Sequence, residues 1–374
     1  MNKKIISVFL ALTMCFSLFL TGCGGKTTTG GVLTLNVYNW GQYVSDGSEG
    51  SYDTIKEFEK WYEKTYGQKV KVNYTTYTSN EDMYNKISSG AVSYDIICPS
   101  DYMIAKMSAE GLLAPIDFEN IPNYKYISEQ FKGLYYDPEN IYSIPYTYGI
   151  VGIIYDANVV DEKDAEGWDL LWNEKYAGKI LQYNNPRDAF GTAMYKLGES
   201  VNSTDKKVWD RAYDELVNQH HMLYSFVMDE VFNLMEAGEA SIASYYAGDY
   251  FTMMDNQADD VDLRFFYPER TNYYIDAMCI PACTQNKELA EIFINFMLSE
   301  DAAIANAEFT YYACPNSVVY ESERYKEDMG EDVMEILYPR IDNFAESYNE
   351  YAYRNLSSEM LDYMNTLWEN VKVN

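Results

Sequence analysis

Aromatic rings and carboxylates recur together at a few places in this chain, with almost no lysine or arginine among them. Asn39, Trp40 and Tyr43 form one such group, and Ser100, Asp101 and Tyr102 another. Tyr246 precedes Ala247-Gly248-Asp249, and Tyr273 and Tyr274 precede Asp276. Ring faces attract a cation and cover its methylene groups, while carboxylates accept charge-assisted hydrogen bonds from ammonium groups. A cation–π contact contributes about 0.5 to 2 kcal/mol and a charged hydrogen bond about 1.5 to 3 kcal/mol, enough together for micromolar binding after ordering costs. Asp276 is the sharpest single signal, because it stands between Ile275 and Ala277-Met278 in an apolar run where a buried carboxylate needs a partner. Two other chemistries draw on the same residue types. Adjacent tyrosines at Tyr245-Tyr246, Tyr273-Tyr274 and Tyr311-Tyr312 offer hard oxygen ligands to a ferric ion or other small cation. Paired carboxylates also serve glycoside hydrolysis, though no local motif marks that use here. With 38 tyrosines in 374 residues, any one Tyr carries little weight by itself.

These groups fall just after predicted strands, where ligands bind in open α/β sheets. Val32 to Tyr38 alternates apolar and polar like a strand, and Ile55, Phe58, Trp61, Tyr62 and Tyr66 recur at helical spacing. Lys69 to Tyr77 alternates again, Ser79 with Asp82 resembles a capping box, and Tyr94 to Cys98 reads as a buried strand before a helix from Tyr102 to Glu110. Further on, strands are predicted at Gly149 to Tyr155, Ala240 to Tyr246, Val261 to Phe266 and Ala277 to Ile280. Helices are predicted at Asp188 to Leu197, Val231 to Glu236, Asn286 to Leu298, Glu300 to Phe309 and Ser357 to Val371. This grammar implies an α/β protein with mainly parallel sheets in two lobes.

Composition narrows the function. With 28 Lys+Arg against 58 Asp+Glu the formal charge is -30, which repels nucleic acid and favours cationic partners. Only two histidines, His220 and His221, are present, too few for histidine-rich metal sites or a familiar catalytic triad. No cofactor is implied. Residues 1–22 carry Lys3 and Lys4 ahead of an apolar run, and Leu20-Thr21-Gly22-Cys23 resembles the lipobox of bacterial lipoproteins, with Cys23 as the lipidated residue. Residues 23–31 then read as a flexible Gly/Thr-rich linker. Gly25-Lys26-Thr27 lacks the upstream glycine and strand of a phosphate loop. Cys98, Cys279, Cys283 and Cys314 contain no C-x-x-C pair and fix no disulfide pattern.

Taken in order, several short stretches resemble the substrate-binding proteins of spermidine/putrescine ABC transporters. They are Tyr38-Asn39-Trp40 with Tyr43, Thr76-Tyr77 with Ser79-Asn80-Glu81, Tyr94-Asp95 leading to Pro99-Ser100 and Tyr102, and Tyr142-Ser143-Ile144-Pro145-Tyr146. Lys196-Leu197-Gly198, Gly238-Glu239, Ala247-Gly248-Asp249, Asp276 ahead of Ile280-Pro281, and Pro315-Asn316 follow. The resemblance implies a two-lobed, type II periplasmic-binding-protein-like fold, monomeric, lipid-anchored and not an enzyme, that closes on a polyamine and delivers it to a membrane permease. Lobe 1 is expected over residues 32–147 with 277–314 and lobe 2 over 148–276 with 315–374. The lobes would hinge near Tyr146 to Gly149 and Asp276 to Ile280.

Residue by residue, the resemblance implies that Trp40, Tyr43, Tyr102, Tyr246, Tyr274 and Tyr312 form an aromatic box with Ser100 beside it. Asp188 falls where the family has a Glu that holds an amine, Asp249 matches the carboxylate of putrescine-type members, and Asp276 matches the acid nearest the box. Asp229 lies near another polar position. Three departures bear on the ligand. Tyr246 and Tyr274 replace tryptophans and weaken the ring quadrupole, Asn185 replaces an acid, and Arg354 lies where the family has a polar contact. A guanidinium at that place would repel one end of a triamine, so together these departures lean towards a diamine such as putrescine or towards a different cation.

Overall fold

The computed structural model describes residues 28–29, 31–339 and 344–373. The apolar segment 1–22, Cys23 and the linker up to residue 27 lie outside the described residues. Ten strands join into one sheet: β1 (Thr28–Thr29), β2 (Val32–Trp40), β3 (Val70–Tyr77), β4 (Ile96–Ile97), β5 (Ser143–Asp156), β6 (Ile180–Tyr183), β7 (Leu223–Val227), β8 (Ile242–Tyr246), β9 (Leu263–Phe266) and β10 (Tyr273–Cys279). Their order is β1-β2-β4-β10-β5-β8-β6-β7, with β3 also on β2 and β9 also on β5. Thr28–Thr29, in the segment read as linker, pairs with the start of β2.

In the first half, α1 (Thr54–Tyr66), α2 (Asn80–Ser88) and α3 (Asp101–Ala109) connect the strands. Asp53 caps α1 by accepting the Lys56 N–H, and Gly67 ends it in a left-handed turn that gives its N–H to Glu63. Ser79 caps α2 by accepting the Asp82 N–H, as its spacing predicts. In the second half come α4 (Pro186–Leu197), α5 (Lys206–His220), α6 (Glu230–Glu236) and α7 (Ala247–Asn256). The chain then returns through α8 (Lys287–Met297) and α9 (Glu300–Thr310), continues in α10 (Ser317–Tyr320), α11 (Glu323–Met329) and α12 (Glu331–Leu337), and closes with α13 (Phe344–Tyr351) and α14 (Ser358–Val373). The apolar stripe of α8 meets α1, where Phe293 sits edge-on to Phe58 at 4.8 Å. The predicted docking helix, α14, packs on α4 and α5.

The sheet is less parallel than the sequence pattern implies. Pairings β2·β3, β2·β4, β6·β7 and β6·β8 are parallel. Those that knit the middle, β10·β4, β10·β5, β5·β8 and β5·β9, are antiparallel. The reason is that β5 and β10 carry the chain between halves in opposite directions. β5 begins at Ser143, well before the predicted Gly149, and is buried throughout its 14 residues. It pairs with β10 at one end and with β8 and β9 at the other, so both predicted crossovers lie side by side. Asp276 faces Thr147, but Ala277 faces Pro145, leaving Tyr146 as the extra residue of a bulge. Pro145 has no N–H to donate, and a bulge is where a sheet tolerates that.

Candidate ligand-binding site

A cleft of about 510 Å³ opens beside β5 and β10. All ten side chains singled out from the sequence line it: Trp40, Tyr43, Ser100, Tyr102, Asp188, Tyr246, Asp249, Tyr274, Asp276 and Tyr312. Asp101, Asp229 and Asn185 line it too, and among its described lining residues there is no Lys, Arg or His. The cleft is therefore anionic and walled by rings.

On the first side, strand ends and a helix start build a connected network. Trp40, the last residue of β2, gives its indole N–H to the Cys98 carbonyl at 2.9 Å and lies over Tyr77. The Tyr43 hydroxyl donates to Asp276 Oδ2 at 2.6 Å and lies 2.5 Å from the Thr147 hydroxyl. Ser100 and the Asn80 amide exchange two hydrogen bonds of 3.0 Å, fixing the start of α3. Burial pushes the Asp276 carboxyl up to about 6, and the Ser100 and Tyr43 hydroxyls hold it back from rising further. Its Oδ1 is buried without a partner. Asp101 differs: it accepts from the Tyr348 hydroxyl at 2.8 Å and from the Tyr102 and Ile275 N–H groups. Its bonding capacity is spent inside the protein, and burial raises it to about 7.

Tyr274 and Asp276 on β10, and Asn272 just before it, share a face because extended side chains alternate. The Tyr274 ring lies across β5 at Gly149, where a Cβ would come within 2.3 Å of its hydroxyl, so a larger residue there would push the ring into the cleft. Tyr246 meets that ring edge-on at 5.2 Å, and Tyr312 meets Tyr43 edge-on at 5.1 Å. The Tyr274 hydroxyl and Asn272 Oδ1 are buried without partners.

The second side contributes carboxylates from helix starts. Asp188, in the first turn of α4, rises to about 7 through burial and the charge of Glu81 across the cleft, while the Tyr353 hydroxyl and Arg187 pull it down. Asp249, in the first turn of α7, accepts from the Tyr312 hydroxyl at 2.9 Å. Burial lifts it to about 7 despite that bond. Asp229 is also raised by burial.

Two sequence-based expectations change. Arg354 does not line the cleft: its guanidinium stacks on Tyr135 at 3.5 Å and donates to the Asn349 carbonyl. Asn185 lines the cleft but serves as the N-cap of α4, accepting the Arg187 N–H at 2.8 Å. No guanidinium therefore lines the cleft, and the lost charge at Asn185 remains as the sequence has it. Of the adjacent tyrosines, Tyr245 and Tyr246 both line the cleft, but the other two pairs divide. Tyr273 turns to the far face against Phe344, and the Tyr311 hydroxyl goes to Asp255. Sequence reasoning missed Asn80, Thr147, Asn272 and Tyr353. Only Asn80 stood in a quoted motif, and the other three come from segments with no local signature.

This fold and cleft define a class, and the comparisons agree with it. Residues 53–330 match the family model of bacterial extracellular solute-binding proteins, and the chain belongs to that family, which is a family of solute binders and not of enzymes. Its two-lobed architecture is that of periplasmic binding proteins. Among curated relatives, a spermidine/putrescine-binding periplasmic protein of Escherichia coli is 34% identical over 287 residues, 76% of this chain and 78% of its own. A putrescine-binding periplasmic protein of Pseudomonas aeruginosa is 25% identical over 90% of this chain and 94% of its own. A solved structure of a putative spermidine/putrescine ABC transporter protein from Listeria monocytogenes shares 35% identity at a TM-score of 0.79, covering 91% of this chain and 99% of that one. Among the described residues no helix is long and apolar enough to cross a membrane.

Proposed function

We propose that this protein captures a polyamine, putrescine or spermidine, between its two lobes and delivers it to the permease of an ABC importer, without catalysis. The observation that carries this reading is the pair of unpartnered buried oxygens, Asp276 Oδ1 and the Tyr274 hydroxyl, in a cleft with five carboxylates and no basic side chain. A buried acceptor without a donor costs about 1 to 3 kcal/mol, more if charged. An ammonium group brings three donors and a positive charge to that place, and its methylenes pack against the rings of Tyr43, Tyr246, Tyr274 and Tyr312.

The ferric reading has less support, since strand alternation turns Tyr273 away from Tyr274 and burial holds the phenols of Tyr246, Tyr274 and Tyr312 well above their ordinary range. Metal binding there needs phenolates.

Lobe 1 is taken as residues 32–147 with 277–314 and lobe 2 as 148–276 with 315–374, hinged at β5 and β10. Ligand favours closure to the extent that it touches both lobes. Anchoring through a lipid on Cys23, and function as a monomer at the extracytoplasmic face, follow from the lipobox-like Leu20-Thr21-Gly22-Cys23 and the resemblance.

Calorimetric titration of Gly24 to Asn374 with putrescine, cadaverine, spermidine, spermine and ferric citrate tests the reading. Saturable one-to-one binding of an amine at micromolar affinity or tighter supports it. Absence of binding by every amine refutes it.

A further inference from the structure

Arg187 is 5% exposed, yet among the described residues none of its hydrogen bonds goes to a carboxylate. Its guanidinium instead donates to the Val201 carbonyl and Asn202 Oδ1, each at 2.8 Å, and to the Arg354 carbonyl at 3.2 Å, while Nε has no partner. One face of the guanidinium covers the ring of Tyr353 at 4.4 Å. A buried cation satisfied only by neutral groups is costly to keep, so its neighbours indicate what it does. The ring it covers belongs to the cleft wall, and the hydroxyl on that ring draws the Asp188 carboxyl towards its charged form.

The ring is held from three directions. Besides Arg187, the Tyr102 ring of the first lobe meets it edge-on at 6.4 Å. From α4, Gly191 admits the hydroxyl, because a Cβ there would lie 2.1 Å from it. Gly191 is one turn beyond Asp188 on the same helix, so the hydroxyl lies against α4 within a turn of Asp188. The residue that follows, Arg354, points the other way and lends only its backbone carbonyl.

We propose that Arg187 and Tyr353 are a positioning pair for the amine site, holding the Asp188 carboxylate as an anion fixed at the cleft wall. The proposal rests on the polyamine reading above. Arg187 clamps the ring, the ring presents its hydroxyl, and the hydroxyl limits Asp188 to one orientation before ligand arrives. The other groups facing Asp188 give it no positive charge. Glu81 opposes it from the first lobe with Tyr102, while Tyr183, Tyr195 and Tyr246 face it from the second as neutral phenols.

Tyr353→Phe keeps the ring and its packing and removes only the hydroxyl. Titrated with putrescine and spermidine, this variant is expected to bind about tenfold more weakly than wild type, the effect of losing one hydrogen bond to a charged group. In an Asp188→Asn background the same change is expected to cost under about twofold, since the pair acts through that carboxylate. The acid limb of the affinity–pH profile also moves to higher pH in Tyr353→Phe, because the carboxylate has lost a donor to its charged form. Equal losses in both backgrounds, or no loss in either, overturn the pair while leaving the polyamine reading standing. Wild-type protein that binds neither amine overturns the reading and the pair together.

Discussion

The two sides of the cleft hold carboxylates in different ways. Asp276 sits in a connected network, fixed through Oδ2 by Tyr43, which in turn touches Thr147, with Ser100 held by Asn80 beside it and Oδ1 left for the ligand. Asp188 and Asp249 each rely on one phenol, from Tyr353 and Tyr312 respectively. All three are raised by burial, but Asp276 reaches about 6 where the other two reach about 7. An anion whose surroundings are already arranged loses least on meeting a cation, so Asp276 is the anchor and the other two adjust.

The largest expected effect is at the anchor. Asp276→Asn weakens amine binding by about 2 to 4 kcal/mol in calorimetric titration, the range for truncating one side of a desolvated charge pair. Asp188→Asn and Asp249→Asn each cost less, about 1.5 to 2 kcal/mol; a loss at either that equals the Asp276→Asn loss breaks the comparison.

Acidity separates the two sides further. As pH falls from 8 to 5, affinity is expected to drop first near 7 as Asp188 and Asp249 take up protons, then near 6 with Asp276. Stability of the ligand-free protein moves the opposite way. These carboxyls are raised above the ordinary 3.8 of the unfolded chain, so between about pH 4 and 7 the folded state binds more protons, and their contribution rises as pH falls. Thermal melts and titrations across that window should therefore show opposite slopes; parallel slopes contradict the assignment. A smaller effect is expected at Thr147→Val, about 1 kcal/mol in affinity, because it loosens Tyr43 without removing a charge. The smallest is Arg354→Ala, within about twofold, since that guanidinium stacks on Tyr135 outside the cleft.

Much of the fold was legible. Helix periodicity gave α1, α8 and α14, and the caps at Ser79 and Gly67 act as their residue types require. Among the elements without a prediction are α5, β6 and β7, as well as α7 and α10 to α13. Val208, Trp209, Ala212 and Leu216 do stand at helical spacing in α5, so that signal was available. β6 is only four residues, and β7 is mostly half-exposed, too short or too mixed to show alternation. The predicted strand Tyr94 to Cys98 shrinks to two paired residues, because ladder pairing depends on the neighbouring strand as well as on an apolar run.

By itself the sequence determined which side chains could bind a cation, since acids and rings at strand ends are a matter of residue type and local period. It also carried enough likeness to a family to predict two lobes. Tertiary structure decided which of two neighbours faces the ligand. Tyr353 and Arg354 are adjacent, yet one lines the cleft and the other leaves it; Tyr273 and Tyr274 divide in the same way across β10. In an extended chain alternate side chains point apart, and only the partners across the sheet and the helices packed on it settle which direction is inward. The same holds for the unpaired oxygens of Asn272, Tyr274 and Asp276, which are unsatisfied only because the fold buries them.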